Sequence, residues 1–219
     1  MARNGSGDAV EGLVNSDNID ALSRYQAARR AILAVLIVIA FAMLIFAGSR
    51  HDALMHEYIE TLGLVLIVVG IGGRLWSTLY IGGRKSAEVV STGPYSITRN
   101  PLYLFSSIAV AGVGAQTGSY AVAGLFMVLC AASFYLVALR EERFLSATLG
   151  EAYAGYLSRV PRFLPNPALY RDEPQVMFQT GRLRATLLDG LVFLGAMAVL
   201  EIIEEAQEAG AVPILYWLY

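Results

Sequence analysis

The chain has one cysteine, Cys130, and one lysine, Lys85, among its sixteen basic residues. A single cysteine excludes an internal disulfide and a thiolate metal cluster. In the middle of an apolar run it reads as a small buried side chain. No run of basic residues exists to follow a phosphate backbone, and the net charge is −2, so nucleic acid is excluded as a partner. The two histidines, His51 and His56, stand between apolar segments with acids nearby but no second pair. They read as part of a solvated loop, and no metal site is assigned. Charge of either sign is scarce, at 16 % of residues, whereas hydrophobic residues reach 56 %. A soluble domain carries less apolar and more charged material. The balance fits an all-α integral membrane protein.

A secretory leader is also missing from the pattern. The first apolar run starts near Ala31, after a polar stretch, and no clean small-residue cleavage site follows it. It reads as a retained membrane helix. Residues 1–23 are expected to be a disordered tail whose last part turns helical after Ser16 or Asp17. Residues 24–219 are expected to form one membrane-embedded helical domain.

Five apolar windows approach the ~20 residues that cross a bilayer core. They cover 31–48, 58–81, 102–118, 120–139 and 183–203. Gln116, Thr117, Gly118 and Ser119 leave almost no loop between the third and fourth, which must form a tight hairpin. Arginine sets the orientation. Arg24, Arg29, Arg30, Arg84, Arg99 and the arginines from Arg140 to Arg184 fall on one side. The other side carries Arg50 with Glu57, Glu60, Glu204, Glu205 and Glu208. The positive-inside rule puts the N-terminus in the cytoplasm and the C-terminus outside, as in a bacterial inner membrane. After Glu142, Phe144, Leu145, Leu149, Tyr153, Tyr156 and Leu157 recur at helical spacing, which predicts a cytoplasmic interfacial helix. The aromatic tail from Ile214 to Tyr219 reads as an anchor at the outer interface.

Two polar clusters sit at cytoplasmic ends of apolar runs, where charge is costly unless it faces something other than lipid. Thr92-Gly93-Pro94-Tyr95 reads as a turn, and Pro101 suits the first turn of a helix. A helix start with free N–H groups can take an anion, and Tyr95 and Tyr103 offer aromatic faces to a heterocycle or a cation. Arg140-Glu141-Glu142-Arg143 is the second cluster. Adjacent glutamates diverge on a helix, so one can face inward while its neighbour pairs with arginine. Each cluster alone is equally consistent with interfacial anchoring. The hairpin returns both to one membrane face, where together they fit a small polar ligand. Arg74, within the second window, either snorkels or lines an internal polar cavity. Gly70-Ile71-Gly72-Gly73 and Gly112-Val113-Gly114 follow no strand, and read as close helix packing rather than phosphate loops.

In order and spacing, Gly93-Pro94-Tyr95, Arg99-Asn100-Pro101-Leu102-Tyr103, Glu141-Glu142 and Gly150-Glu151-Ala152-Tyr153 through Tyr156 to Arg159-Val160-Pro161 resemble the isoprenylcysteine carboxyl methyltransferase family. Its wider relatives include membrane phospholipid N-methyltransferases. The resemblance covers about residues 80–165. It implies an S-adenosylmethionine-dependent methyltransferase whose cofactor site lies at the cytoplasmic face. By motif position it implies backbone contacts from Ala87, Glu88, Val89 and Val90. Tyr80, Tyr95, Asn100, Pro101, Leu102 and Tyr103 would line the pocket, and Glu141 would bind a polar group of the cofactor. Catalytic roles fall to Asn100, where the family has histidine, and to Glu142, the nearby base available for an amine acceptor. Asparagine exchanges hydrogen bonds but does not titrate, which methyl transfer to an ionised carboxylate tolerates. An arginine that engages substrate in the eukaryotic enzymes is Val137 here, so the resemblance does not extend to that contact. The expected partners are the bilayer and a lipophilic or lipid acceptor. The competing readings are a phospholipid N-methyltransferase and a non-enzymatic small transporter or assembly protein.

Overall fold

The computed structural model describes residues 44–49, 52–82 and 88–218. The chain separates into two units, Met1–Phe46 and Ala47–Tyr219, and the second is described below. The expected tail, the lead-in after Ser16 and most of the window 31–48 lie outside the described residues, as do Arg50, His51, Arg84, Lys85 and Ala87.

The architecture is helical. In chain order it runs β1 (Ala47–Ser49), α1 (Ala53–Ile81), α2 (Pro94–Ile97), α3 (Pro101–Ala115), α4 (Tyr120–Arg159), a 3-10 turn (Pro167–Leu169), α5 (Thr180–Glu208) and β2 (Tyr216–Leu218). Three of these, α1, α4 and α5, are long and apolar enough to cross a membrane. The fifteen residues of α3 span about 22 Å, short of a hydrocarbon core of about 30 Å.

Large apolar side chains point away from the bundle, among them Val68 on α1, Val128 and Leu136 on α4, and Val192 and Ile202 on α5. That is the arrangement lipid solvation permits. Small residues make the helix contacts instead. A Cβ built on Gly70 would stand 2.6 Å from the Ala109 Cβ, and one on Gly112 would stand 2.5 Å from the Gly63 carbonyl oxygen. The α1–α3 seam therefore brings backbones into direct contact. Gly72 has no such neighbour and takes no part.

The hairpin forms as expected: α3 ends at Ala115, Gly118 turns the chain at φ +62°, and Ser119 caps α4. The structure departs from the sequence reading after Glu142. No separate interfacial helix begins there, because α4 continues through the polar cluster. Its break comes at Gly150, at φ +55° and ψ −132°, beyond which residues 151–159 turn back as a second helical stretch. The C-terminal aromatic segment gains a partner, since β2 pairs in parallel with β1, Tyr216 opposite Ala47 and Trp217 opposite Gly48.

Arg74 does not snorkel. It donates to the Ser106 hydroxyl, lies 3.7 Å from Asp189 and sits over the Phe193 ring, joining α1, α3 and α5 inside the bundle. A guanidinium at that depth is costly unless partnered in this way.

Candidate functional site

The segment from Gly93 to Tyr103 is pinned by its backbone. Gly93 adopts φ +56°, a region that disfavours any side chain, and a Cβ there would strike the Tyr80 ring at 2.4 Å. Its N–H donates to the Arg171 carbonyl at 2.7 Å, and the Ser96 hydroxyl accepts from the Arg171 N–H at 3.0 Å. Tyr80 and Thr92 donate their hydroxyls to Asp172 and Glu173. The Tyr80 bond holds the exposed Asp172 carboxyl below its usual pKa. On the other side, the Arg99 N–H donates to the Pro161 carbonyl and the Asn166 N–H to that of Ile97. The loop after α4 thus clamps the turn that opens α3.

α3 and α4 carry the remaining groups. Tyr103 stacks on Phe134, ring centroids 4.5 Å apart, and donates its hydroxyl to the Glu141 carboxylate at 2.8 Å. Glu142 is buried between two guanidiniums, Arg99 at 3.0 Å and Arg162 at 2.8 Å. The Glu142 carboxylate raises the pKa of Arg162 still further, so that guanidinium stays charged. The break at Gly150 returns Tyr153 and Tyr156 over the site, where they form an apolar cluster with Val160, backed by Val89, Leu145 and Leu149. Tyr156 donates to the Tyr95 carbonyl at 2.8 Å.

Between these walls lies an open cleft of about 720 Å³ including its mouth. Ten residues singled out from sequence line it together: Glu88, Val89, Val90, Tyr95, Asn100, Pro101, Leu102, Tyr103, Glu141 and Glu142. Ala87 lies outside the described residues. Tyr80 is not on the cleft wall; it buttresses Gly93 from behind. Sequence reasoning did not assign Arg99, Leu145, Leu149, Tyr153 or Tyr156 to the lining. The tyrosines and Arg99 stood in the motifs, but nothing local reveals that α4 doubles back at Gly150.

Two further expectations change. Pro101 has no N–H, and Tyr103 and Leu104 both donate to the Asn100 carbonyl, so the start of α3 does not present an array of free donors. Leu102 keeps the one first-turn N–H without a bond among the described residues. The Asn100 side chain donates its amide to the Arg162 carbonyl at 3.1 Å, which holds it against the post-α4 loop.

The cleft is suited to a polar ligand. The Tyr95 hydroxyl and the Arg99 Nε are buried there without a partner among the described residues. Such atoms cost about 1–3 kcal/mol each until something bonds them. Burial, and then the neighbouring Tyr156, Tyr103 and Glu141, push the Tyr95 pKa well above the usual value, so its hydroxyl remains a donor. Together the cleft offers a carboxylate already bonded to Tyr103, aromatic surface and an apolar roof, with the neutral Tyr95 donor buried in its wall.

A family model described as phospholipid methyltransferase matches residues 58–152, which hold most of α1, all of α3, both polar clusters and most of α4. The nickel-cobalt-cadmium resistance protein NccN of Alcaligenes xylosoxydans xylosoxydans is 33 % identical over 179 residues, 82 % of this chain and 84 % of that protein. The cobalt-zinc-cadmium resistance protein CzcN of Cupriavidus metallidurans is 34 % identical over 177 residues, 80 % of this chain and 82 % of that protein. No solved structure matches the chain. With membrane-length helices and the family's motifs gathered around one cleft, the chain belongs to the phospholipid methyltransferase family, in its isoprenylcysteine carboxyl methyltransferase-like group.

Proposed function

We propose that the chain is a membrane-embedded methyltransferase that binds S-adenosylmethionine in the cleft and methylates a lipophilic acceptor. The observation that carries this reading is the convergence of Tyr95, Asn100, Tyr103 and Glu141 on one partly buried cleft at the end of an apolar bundle. Bound S-adenosylmethionine supplies an electrophilic methyl group on a sulfonium. Tyr95, Leu102, Tyr103 and Glu141 would hold it, through the orphaned hydroxyl, the remaining first-turn N–H, aromatic surface and the carboxylate. Glu88, Val89 and Val90 lie along the same wall. Leu145, Leu149, Tyr153 and Tyr156 give the cleft an apolar roof, which would keep water from a bound cofactor. The rest of the chain's contribution is positioning in a dry site, where orientation alone is worth several powers of ten in rate.

Glu142 takes a different role from the one its sequence position suggests. Arg99 and Arg162 bind both its oxygens, so it locks the cleft wall and is poorly placed to take a proton. Asn100 does not titrate. This favours an acceptor that needs no base, such as the carboxylate or thiolate of a prenyl-like compound. A phospholipid amine, suggested by the family's description, is the second reading. The acceptor would enter sideways between apolar helices, and the polar cofactor from the arginine-rich side, which we take to be cytoplasmic. Radiolabelled methyl transfer into added prenylcysteine, compared with transfer into extracted lipids, separates the two. Label in the prenylcysteine fraction is expected; label in phospholipid alone overturns the base-free acceptor.

The relatives' names carry a physiological proposal, that the chain serves resistance to divalent cations. Cells lacking the gene should grow worse in added cobalt, and wild type but not Glu141→Ala should restore growth.

A further inference from the structure

The end of the bundle away from the cleft holds a cluster that methyl transfer does not use. His56 is not in a solvated loop; it lies one turn from Glu60 near the start of α1. Glu204 comes from the last turns of antiparallel α5. The His56 Nε2 is 3.1 Å from Glu60 Oε1 and 3.0 Å from Glu204 Oε1. The three donor atoms lie within 4.8 Å of one another, and all three side chains are partly buried. One imidazole N–H cannot bond two carboxylates well at once. Glu57, Glu201, Glu205 and Glu208 line the adjoining groove, and no lysine or arginine lines it among the described residues. The C-terminal end of α5 adds the negative pole of its helix dipole, where carboxylates are disfavoured. The cluster therefore gathers carboxylates around one imidazole with no basic side chain beside it among the described residues, a setting that suits a cation.

The donors are held in place. Gly118, at φ +62°, packs so closely on His56 that a Cβ there would lie 2.4 Å from Nδ1 and Cε1, leaving Nε2 toward the carboxylates. Gln116 donates to the Glu60 carbonyl at 2.8 Å, tying the same hairpin turn to the turn of α1 that carries Glu60. Donors about 2.1 Å from one ion and at right angles stand about 3.0 Å apart, against about 3.4 Å for tetrahedral angles. The two His56 distances match adjacent corners of an octahedron, and the groove borders the cluster. An imidazole nitrogen with two carboxylate oxygens suits a borderline first-row ion better than magnesium or calcium.

We propose that His56, Glu60 and Glu204 bind one divalent first-row transition-metal ion in exchange with solvent. The site is independent of the methyl-transfer reading, because His56 and the cleft-lining Ile81 lie at opposite ends of α1, about 37 Å apart along the helix.

Cobalt(II) titration of the full-length, detergent-purified, chelator-stripped and tag-free protein tests it through visible absorption. Wild type should take up one equivalent, which Zn2+ displaces and excess Mg2+ does not. His56→Ala and Glu204→Gln should each weaken uptake by about tenfold or more, and Glu57→Gln and Glu208→Gln by less than about twofold. Glu204→Gln is isosteric, so it carries the test even if His56→Ala fails to fold. Absence of saturable uptake by wild type, wild-type affinity in Glu204→Gln, or equal losses in all four variants would overturn the site.

Discussion

Tyr103 does two things at once, stacking on Phe134 and donating to Glu141, and substitution can separate them. Tyr103→Phe keeps the stack and removes the bond. It should weaken S-adenosylhomocysteine binding by about tenfold in calorimetric titration, and Tyr103→Ala by more. Glu142→Gln leaves Arg99 and Arg162 facing a neutral amide and should lower unfolding stability by about 2–4 kcal/mol. A wild-type melting temperature would count against the lock assigned to it. Tyr95 bears on pH. Its folded pKa is raised, so the folded state holds the phenolic proton more tightly than the unfolded chain does. Its contribution is complete below the ordinary tyrosine value of about 10 and is lost as pH climbs above it. Tyr95→Phe should flatten that alkaline fall in thermal melts. The identities of these residues were legible in the sequence because each stands at a fixed offset in a motif. Their pairings were not: adjacent glutamates look alike until the arginines of a distant loop choose one.

At the scale of elements, two glycines set the site, and they do so differently. Gly93 combines positive φ with a ring at contact, whereas Gly150 has positive φ and open space. Gly93→Ala should cost about 2–4 kcal/mol in unfolding stability, and Gly150→Ala about 1 kcal/mol. In a Tyr80→Ala background the steric part of the Gly93 penalty should vanish, leaving the backbone part, which a double-mutant cycle reads directly. Equal penalties at both glycines would contradict the assignment. Apolar runs of helical length revealed α1, α3 and α5, and the few residues left between the third and fourth runs revealed the tight hairpin. It did not reveal that α4 runs on through the polar cluster. The apolar pattern stops near Leu139, while backbone hydrogen bonding continues to Gly150. Nor did it reveal the β1–β2 pairing, which joins segments far apart in the chain.

On the scale of the whole molecule, two polar sites stand at opposite ends of α1. Its C-terminal end borders a cleft with unsatisfied buried donors, and its N-terminal end carries His56 and Glu60 opposite Glu204. Hydropathy and arginine placement were enough to suggest a membrane bundle with a polar site at one face. The second cluster escaped because Glu204 lies far along the chain from His56 and Glu60, and an isolated histidine among acids has no sequence signature. The cleft is proposed to bind the methyl donor. Equilibrium binding of S-adenosylhomocysteine to the purified protein tests it most directly. Saturable binding by wild type, weakened at least about tenfold by Glu141→Ala and Tyr103→Ala but unchanged by Glu204→Ala at the far end of the bundle, is the expected result. No binding by wild type, or equal loss in all three variants, would contradict it.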